Sequence, residues 1–276
     1  MRHCLNVLAL SVLLVPAAQA SFVFTWSTTI PSTTIQVAGN VQFDVVPDGP
    51  GYDLVITLKN TSTQPQEESS AALSGLFWNM TVDGVDPGPL TMKSGVAPDG
   101  LINSTGTTAI GGTQNFNICA PNSANPSYVS CSSTLIGGWQ FNYADFNSIN
   151  NFIPTGTQFG IGTAGLGGAF SAADVKGGAT VNGPGGNFDF ALIDEIGSNP
   201  NGGFNTAPYT LNQAIFVFTG LSSNNVDIFT VIPAYGTAPE GVPTTTQENP
   251  DTPEPATMSV LAGGLALLAV KRLRRR

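Results

Sequence analysis

The sequence predicts an all-β fold, an antiparallel β-sandwich of jelly-roll type, and three observations carry that expectation. Thirty-two glycines and 20 prolines punctuate the 276 residues, and only 10% are charged. Polar positions are filled instead by Ser, Thr, Asn and Gly, the usage of many strands and turns. Between the punctuation stand short runs in which apolar and polar residues alternate with period two. No segment before residue 255 sustains a capped helical period; residues 164–173 come nearest, and Gly165, Gly167 and Gly168 argue against them.

The elements follow in order. Val41, Phe43 and Val45 alternate with polar partners, and so do Tyr52, Leu54, Ile56 and Leu58. Pro47, Asp48, Gly49, Pro50 and Gly51 between them form a dense turn signal, so the two runs predict a hairpin with those seven side chains on one core face. Leu76, Trp78, Met80 and Val82 share a face of the next run. Trp139, Phe141 and Tyr143 alternate, then Phe159 and Ile161, then Phe188, Phe190 and Leu192. The unbroken apolar run 214–218 predicts a strand buried on both faces, and 226–231 closes the set. Segments 84–112 and 177–186 read as long rim loops. Residues 236–252, with Pro239, Pro243, Pro250 and Thr244 to Thr246, cannot bury a core and read as a disordered, extended stalk.

The two ends read as addresses rather than as fold. Met1, Arg2 and His3 precede an apolar run over 5–15, and Ala18 and Ala20 give the small-x-small pattern of signal-peptidase cleavage after Ala20. At the other end stand Pro253, Glu254 and Pro255, an apolar stretch over 256–270, and the cations Lys271, Arg272, Arg274, Arg275 and Arg276. As a helix that stretch reaches roughly 22 Å, short of the roughly 30 Å hydrocarbon core, and Gly263 and Gly264 weaken it further. It predicts a temporary tether, with a cationic stop that stays cytoplasmic. The organisation expected is a signal peptide (1–20), a β-sandwich ectodomain (21–235), a linker (236–252) and a sorting segment (253–276).

The order of Pro-Glu-Pro motif, apolar helix and Arg-rich end resembles the PEP-CTERM sorting signal. That resemblance covers 253–276 and implies processing by an exosortase in the envelope of a Gram-negative bacterium that makes exopolysaccharide. It implies an exported protein of the cell surface or extracellular matrix, held transiently in the inner membrane. Residues 73–78 and 217–221, with Tyr235 and Gly236, are also similar to stretches of some exosortase-dependent surface proteins.

Removing 1–20 and 254–276 sharpens the composition. Only Lys59, Lys93 and Lys176 remain against 17 acids, a net charge of −14 where the whole chain has −9. Such a chain repels nucleic acid. Its one histidine, His3, leaves with the leader, so no Ser-His-Asp or Cys-His catalytic constellation can form. Two-carboxylate glycosidase chemistry survives on composition, but no pair of acids is marked by context. Cys119 and Cys131 form an even pair for an oxidising compartment and predict a disulfide across a polar loop. Asp194 and Glu195 before an Asn- and Gly-rich stretch match no calcium-loop spacing, and Asp48, Asp83, Asp86 and Asp99 read as turn formers, so no metal and no cofactor is expected. Trp78 and Trp139 fall in phase with core alternation, while Trp26 is less constrained. Asn60, Asn79 and Asn103 sit in Asn-x-Ser/Thr frames, which carry little weight in a bacterial chain. The function expected is a non-enzymatic exported surface or matrix protein with exosortase as its processing partner; the alternative is a carbohydrate-binding module for the producer's own polysaccharide.

Overall fold

In the computed structural model, residues 20–29, 35–62, 71–102, 109–110, 112–116, 120–122, 125–130, 139–143, 145, 156–162, 191–193, 209–236 and 246–248 are described. Among them there is no α-helix; strands dominate, and nearly every pairing is antiparallel.

The expected hairpin is the centre of the molecule. Strand β2 (Gln36–Asp48) turns through Gly49 and Pro50 into β3 (Gly51–Asn60), with Asp48 opposite Gly51. Gly49 takes φ 58°, a left-handed conformation that a side chain resists. Val41 faces Leu58, Phe43 faces Ile56 and Val45 faces Leu54, all buried; Tyr52 is half-buried against the same core. Around this pair grows a seven-stranded antiparallel sheet. On one side lies β1 (Ser21–Thr29), and on the other β15 (Gln213–Leu221), β5 (Thr91–Ala97) and β8 (Gln114–Asn115). The outermost strand beside β1 is β17 (Thr246–Glu248).

An eight-stranded assembly is built on β4 (Leu73–Val82), which pairs with β12 (Phe159–Gly162) and β16 (Val226–Tyr235). Strand β11 (Gln140–Tyr143) extends it past β12. Short strands β13 (Leu192–Ile193), β14 (Tyr209–Leu211), β6 (Leu101–Ile102) and β7 (Ala109–Ile110) continue it, and β13–β14 is its parallel pair. The result curls toward a half-barrel. A separate two-stranded ribbon joins β9 (Ala120–Asn122) to β10 (Asn125–Ser130).

One aromatic core joins the two sheets. Trp78, fully buried, has its ring centre 5.9 Å from Phe43, 6.2 Å from Phe218, 5.7 Å from Phe159 and 6.3 Å from Phe141. Trp139 packs on Phe216 at 5.1 Å. Both tryptophans thus fill the core, as their phase predicts. A second cluster of Ala72, Ile102, Ala191, Ile193 and Tyr209 lies on the other face of the eight-stranded sheet. Their neighbours Leu73, Leu101 and Leu192 belong to the main core, and successive side chains in a strand point to opposite faces.

Three expectations are corrected. Residues 214–218 are not buried on both faces: Ala214, Phe216 and Phe218 are inside, while Ile215 and Val217 are half-buried on the outer face. A long strand covered on both faces is instead β4, where Phe77 and Asn79 are buried as well as Leu76 and Trp78. Segment 84–112 is not one long loop, since β5, β6 and β7 fall in it. Its strand signal was masked by Gly95, where a Cβ would meet Phe116 Cδ2 at 3.1 Å and Phe216 Cδ1 at 3.3 Å. And 236–252 is not wholly a spacer, because Thr246–Glu248 pairs with β1. Backbone pairing there requires only a free strand edge, which composition does not show. Segment 177–186, Phe188 and Phe190 lie outside the described residues.

Candidate functional site

Most residues singled out by the sequence lie outside the described ones: Ala18, Cys119, Cys131, Pro253, Glu254, Pro255, Lys271, Arg272, Arg274, Arg275 and Arg276, with the acids Asp194 and Glu195. No helix among the described residues is long and apolar enough to cross a membrane. Three places among the described residues bear on the site.

The first is the edge where the two ends of the folded unit Ala20–Pro250 meet. Ala20, half-buried, accepts a hydrogen bond at its carbonyl from Val45 N at 2.9 Å, and β1 begins at the next residue. Further along β1, Trp26 stands opposite Gly39. A Cβ on Gly39 would meet Lys59 O at 2.7 Å and Trp26 Cε2 at 2.8 Å, so the glycine is the seat of the indole. Trp26 Nε1 donates to Tyr235 Oη at 2.6 Å inside the core. Trp26 is therefore a core residue, fixed by a partner 209 positions away that local alternation does not reveal. Burial pushes the Tyr235 phenol well above its ordinary range, and the bond from Trp26 only partly opposes this. Strand β17 then pairs with β1 in the register Val23–Glu248, Phe24–Gln247 and Thr25–Thr246.

The second place is a charged group at the open end of the hairpin. Lys93 Nζ lies 2.8 Å from Asp48 Oδ2 and 3.0 Å from Asp53 Oδ2. Lys93 and Asp48 are half-exposed, whereas Asp53 is buried and its Oδ1 has no hydrogen-bond partner among the described residues. Hydrogen bonding to Lys93 and the charge of its ammonium hold Asp48 below the usual carboxylate range, and the two carboxylates raise Lys93. The acids are within about 6 Å of each other, as both contact one nitrogen, and that spacing is in the range a glycosidase uses. The chemistry does not follow. A general acid must hold its proton near neutrality, and the ammonium favours the ionised form of Asp48. The strand neighbours of Asp53 are Val46 and Thr219 rather than sugar-stacking rings. The arrangement is a charge clamp across β2, β3 and β5.

The third place is the turn after β4. Asp83 has φ 53° and accepts at Oδ1 from Ser223 Oγ at 3.2 Å and Asn225 Nδ2 at 3.0 Å. Asp86 Oδ1 accepts from Gly88 N at 2.8 Å, and its Oδ2 from Tyr143 Oη at 2.7 Å. Burial first, and the Asp86 carboxylate second, push Tyr143 up to about 12. Asp83 and Asp86 thus act as turn formers, the role expected of them. Among the described residues no group of three His, Cys, Asp or Glu is placed to hold a metal ion.

Two of the three Asn-x-Ser/Thr asparagines are structural. Asn60 Nδ2 donates to Leu192 O at 3.1 Å while its Oδ1 accepts from Ser62 N at 3.1 Å. Asn79 Oδ1 accepts from Gln158 N at 2.9 Å. Both are buried, so neither amide is presented for glycosylation in the folded chain. Asn103 lies outside the described residues.

No family model, curated protein or solved structure matches this chain.

Proposed function

We propose that the chain is a non-enzymatic exported protein of the cell surface or exopolysaccharide matrix, trimmed by an exosortase at Pro253, Glu254 and Pro255. The observation that carries the proposal is the three-part order of motif, short glycine-bearing apolar stretch and Arg-rich end over 253–276, joined to a leader over 1–20. The body between them supports it. A histidine-free, strongly acidic β-rich unit suits solvation in a polymer coat, and two sheets sharing one aromatic core fit a sandwich of jelly-roll type.

Direct sugar stacking finds no support in the tryptophans, since Trp26, Trp78 and Trp139 are all buried. The deciding experiment is fractionation of polymer-producing cells that express the full chain or a chain lacking 253–276. The proposal expects the full chain to be trimmed and recovered from the coat or medium, and the truncated chain to be distributed differently. Identical distribution of the two, or an intact full chain in purified inner membrane, defeats it.

A further inference from the structure

The charge clamp is built around a buried acid whose hydrogen bonding is incomplete. Asp53 lies in β3, with a strand on either side, and its side chain is only 7% exposed. Its Oδ2 meets Lys93 Nζ at 3.0 Å, while its Oδ1 is buried and has no partner among the described residues. A buried acceptor left in that condition is costly. Asp48 Oδ2 meets the same nitrogen at 2.8 Å, so two carboxylates converge on a single cationic point. The lysine is the loosest member of the three. It is half-exposed, and it is the extra residue of a bulge: Ser94 stands opposite Val217 and Met92 opposite Phe218, which leaves Lys93 facing no residue of β15. On the other edge of β5, strand β8 reaches only Val96 and Ala97. Lys93 can therefore swing into solvent without breaking a register pair. The acids are fixed, Asp53 between Val46 and Thr219 and Asp48 opposite Gly51.

From this geometry we propose that Asp48 and Asp53 form a site for a divalent cation of the calcium type, in which Lys93 is a tethered competitor that the ion displaces. A hard cation is held by oxygen ligands, and this pair supplies three. Asp53 brings the oxygen now on Lys93 and the one now without a partner, and Asp48 brings its Oδ2. Thr219 stands opposite Asp53, so its hydroxyl is a neutral oxygen on the same face of the sheet. Water completes the shell on the open side, where Asp48 is half-exposed. The exchange also improves the charge balance. Two carboxylates around one ammonium leave a negative charge over, whereas a divalent ion matches both and returns the ammonium to water. The acidity of the body draws cations toward it. Calcium sites of extracellular modules have dissociation constants of about 10⁻⁴–10⁻³ M, and a site with two carboxylates and an internal competitor belongs in that range. The assignment stands independently of the sorting reading.

The test is calorimetric titration of calcium chloride into the full chain, freed of metal with a chelator and held at constant ionic strength. The wild type is expected to bind one ion with a dissociation constant of about 10⁻⁴–10⁻³ M. Lys93→Met removes the competitor and its charge while keeping an unbranched stem, so this variant binds at least tenfold tighter than the wild type. Lys59→Met removes an equal charge from an exposed position of the same strand as Asp53 and binds like the wild type. Adding Asp53→Asn to Lys93→Met weakens binding at least tenfold relative to Lys93→Met alone. Magnesium, which demands a smaller octahedral shell, binds at least tenfold more weakly than calcium. Circular dichroism confirms the fold of each variant. The proposal is overturned if neither the wild type nor Lys93→Met binds calcium saturably up to about 10 mM, well above the expected range. It is equally overturned if Lys93→Met binds no tighter than the wild type or than Lys59→Met, since the ion then sits away from Lys93.

Discussion

The Trp26–Tyr235 bond is the point at which strand packing can be measured most directly. Tyr235→Phe deletes the acceptor and leaves the indole N–H of Trp26 in the core without its 2.6 Å partner. A buried donor stranded in this way costs about 1–3 kcal/mol. Trp26→Phe strands the Tyr235 hydroxyl to a similar degree and also empties part of the space above Gly39, for a total of about 2–4 kcal/mol. The double variant leaves neither group stranded and loses mainly the packing, so its cost falls short of the sum by about 1–3 kcal/mol. Each kcal/mol lowers Tm by about 2–4 °C in a domain of this length. Urea unfolding of the secreted protein reads all four corners of the cycle, because Trp78 and Trp139 remain as buried fluorophores in every variant. Costs that add to within about 0.5 kcal/mol would show that the two side chains do not share a hydrogen bond, and the argument would fail.

Four further outcomes are expected. Gly39→Ala destabilises by about 1–3 kcal/mol through overpacking, and Trp26→Phe does not rescue it, because the Lys59 carbonyl 2.7 Å from the new Cβ is backbone; thermal melts of the single and double variants decide. Lys93→Met lowers stability at neutral pH, most at low salt. Asp48 is held below the ordinary carboxylate range, so its share of this loss is present above that range and fades as acid protonates it; the raised Lys93 sets the other limit, above the lysine range, and urea midpoints across pH and salt map both. Tyr143 ionises at about 12 in the folded chain against about 10 when unfolded, so its contribution is intact below pH 10 and is lost as pH rises through 12; tyrosinate absorbance shows the late step, and Tyr143→Phe removes it. The non-reduced peptide map of the secreted protein holds one linked pair, Cys119 with Cys131, and free thiols at both positions refute the bridge.

Much of the β architecture was legible because it is written in period two. The β2–β3 hairpin, the inward faces of β4, β12 and β16, and the core placement of Trp78 and Trp139 follow from alternation, and alternation follows from the backbone pleat. The misreadings share a cause. Whether the outer side of a strand is covered depends on segments far away, so β4 proved to be buried on both faces although it read as one-sided, and β15 proved to be one-sided although it read as a continuous apolar run. Strand β5 was hidden because Gly95 replaces a side chain with the rings of Phe116 and Phe216. The places now of interest were legible only in part. Asp83 and Asp86 announce turns, but their bonds to Ser223, Asn225 and Tyr143 do not show locally.

The sequence by itself determined the all-β character, the hairpin face, the acidity and the lack of histidine between residues 20 and 254, because composition and local periodicity need no partner. Only the tertiary structure decided that Trp26 meets Tyr235, that Lys93 gathers Asp48 and Asp53, and that Thr246–Glu248 pairs with β1. Those are meetings of residues about 40 to more than 200 positions apart. They are set by strand order and register, which arise when one face of each sheet is buried against the other.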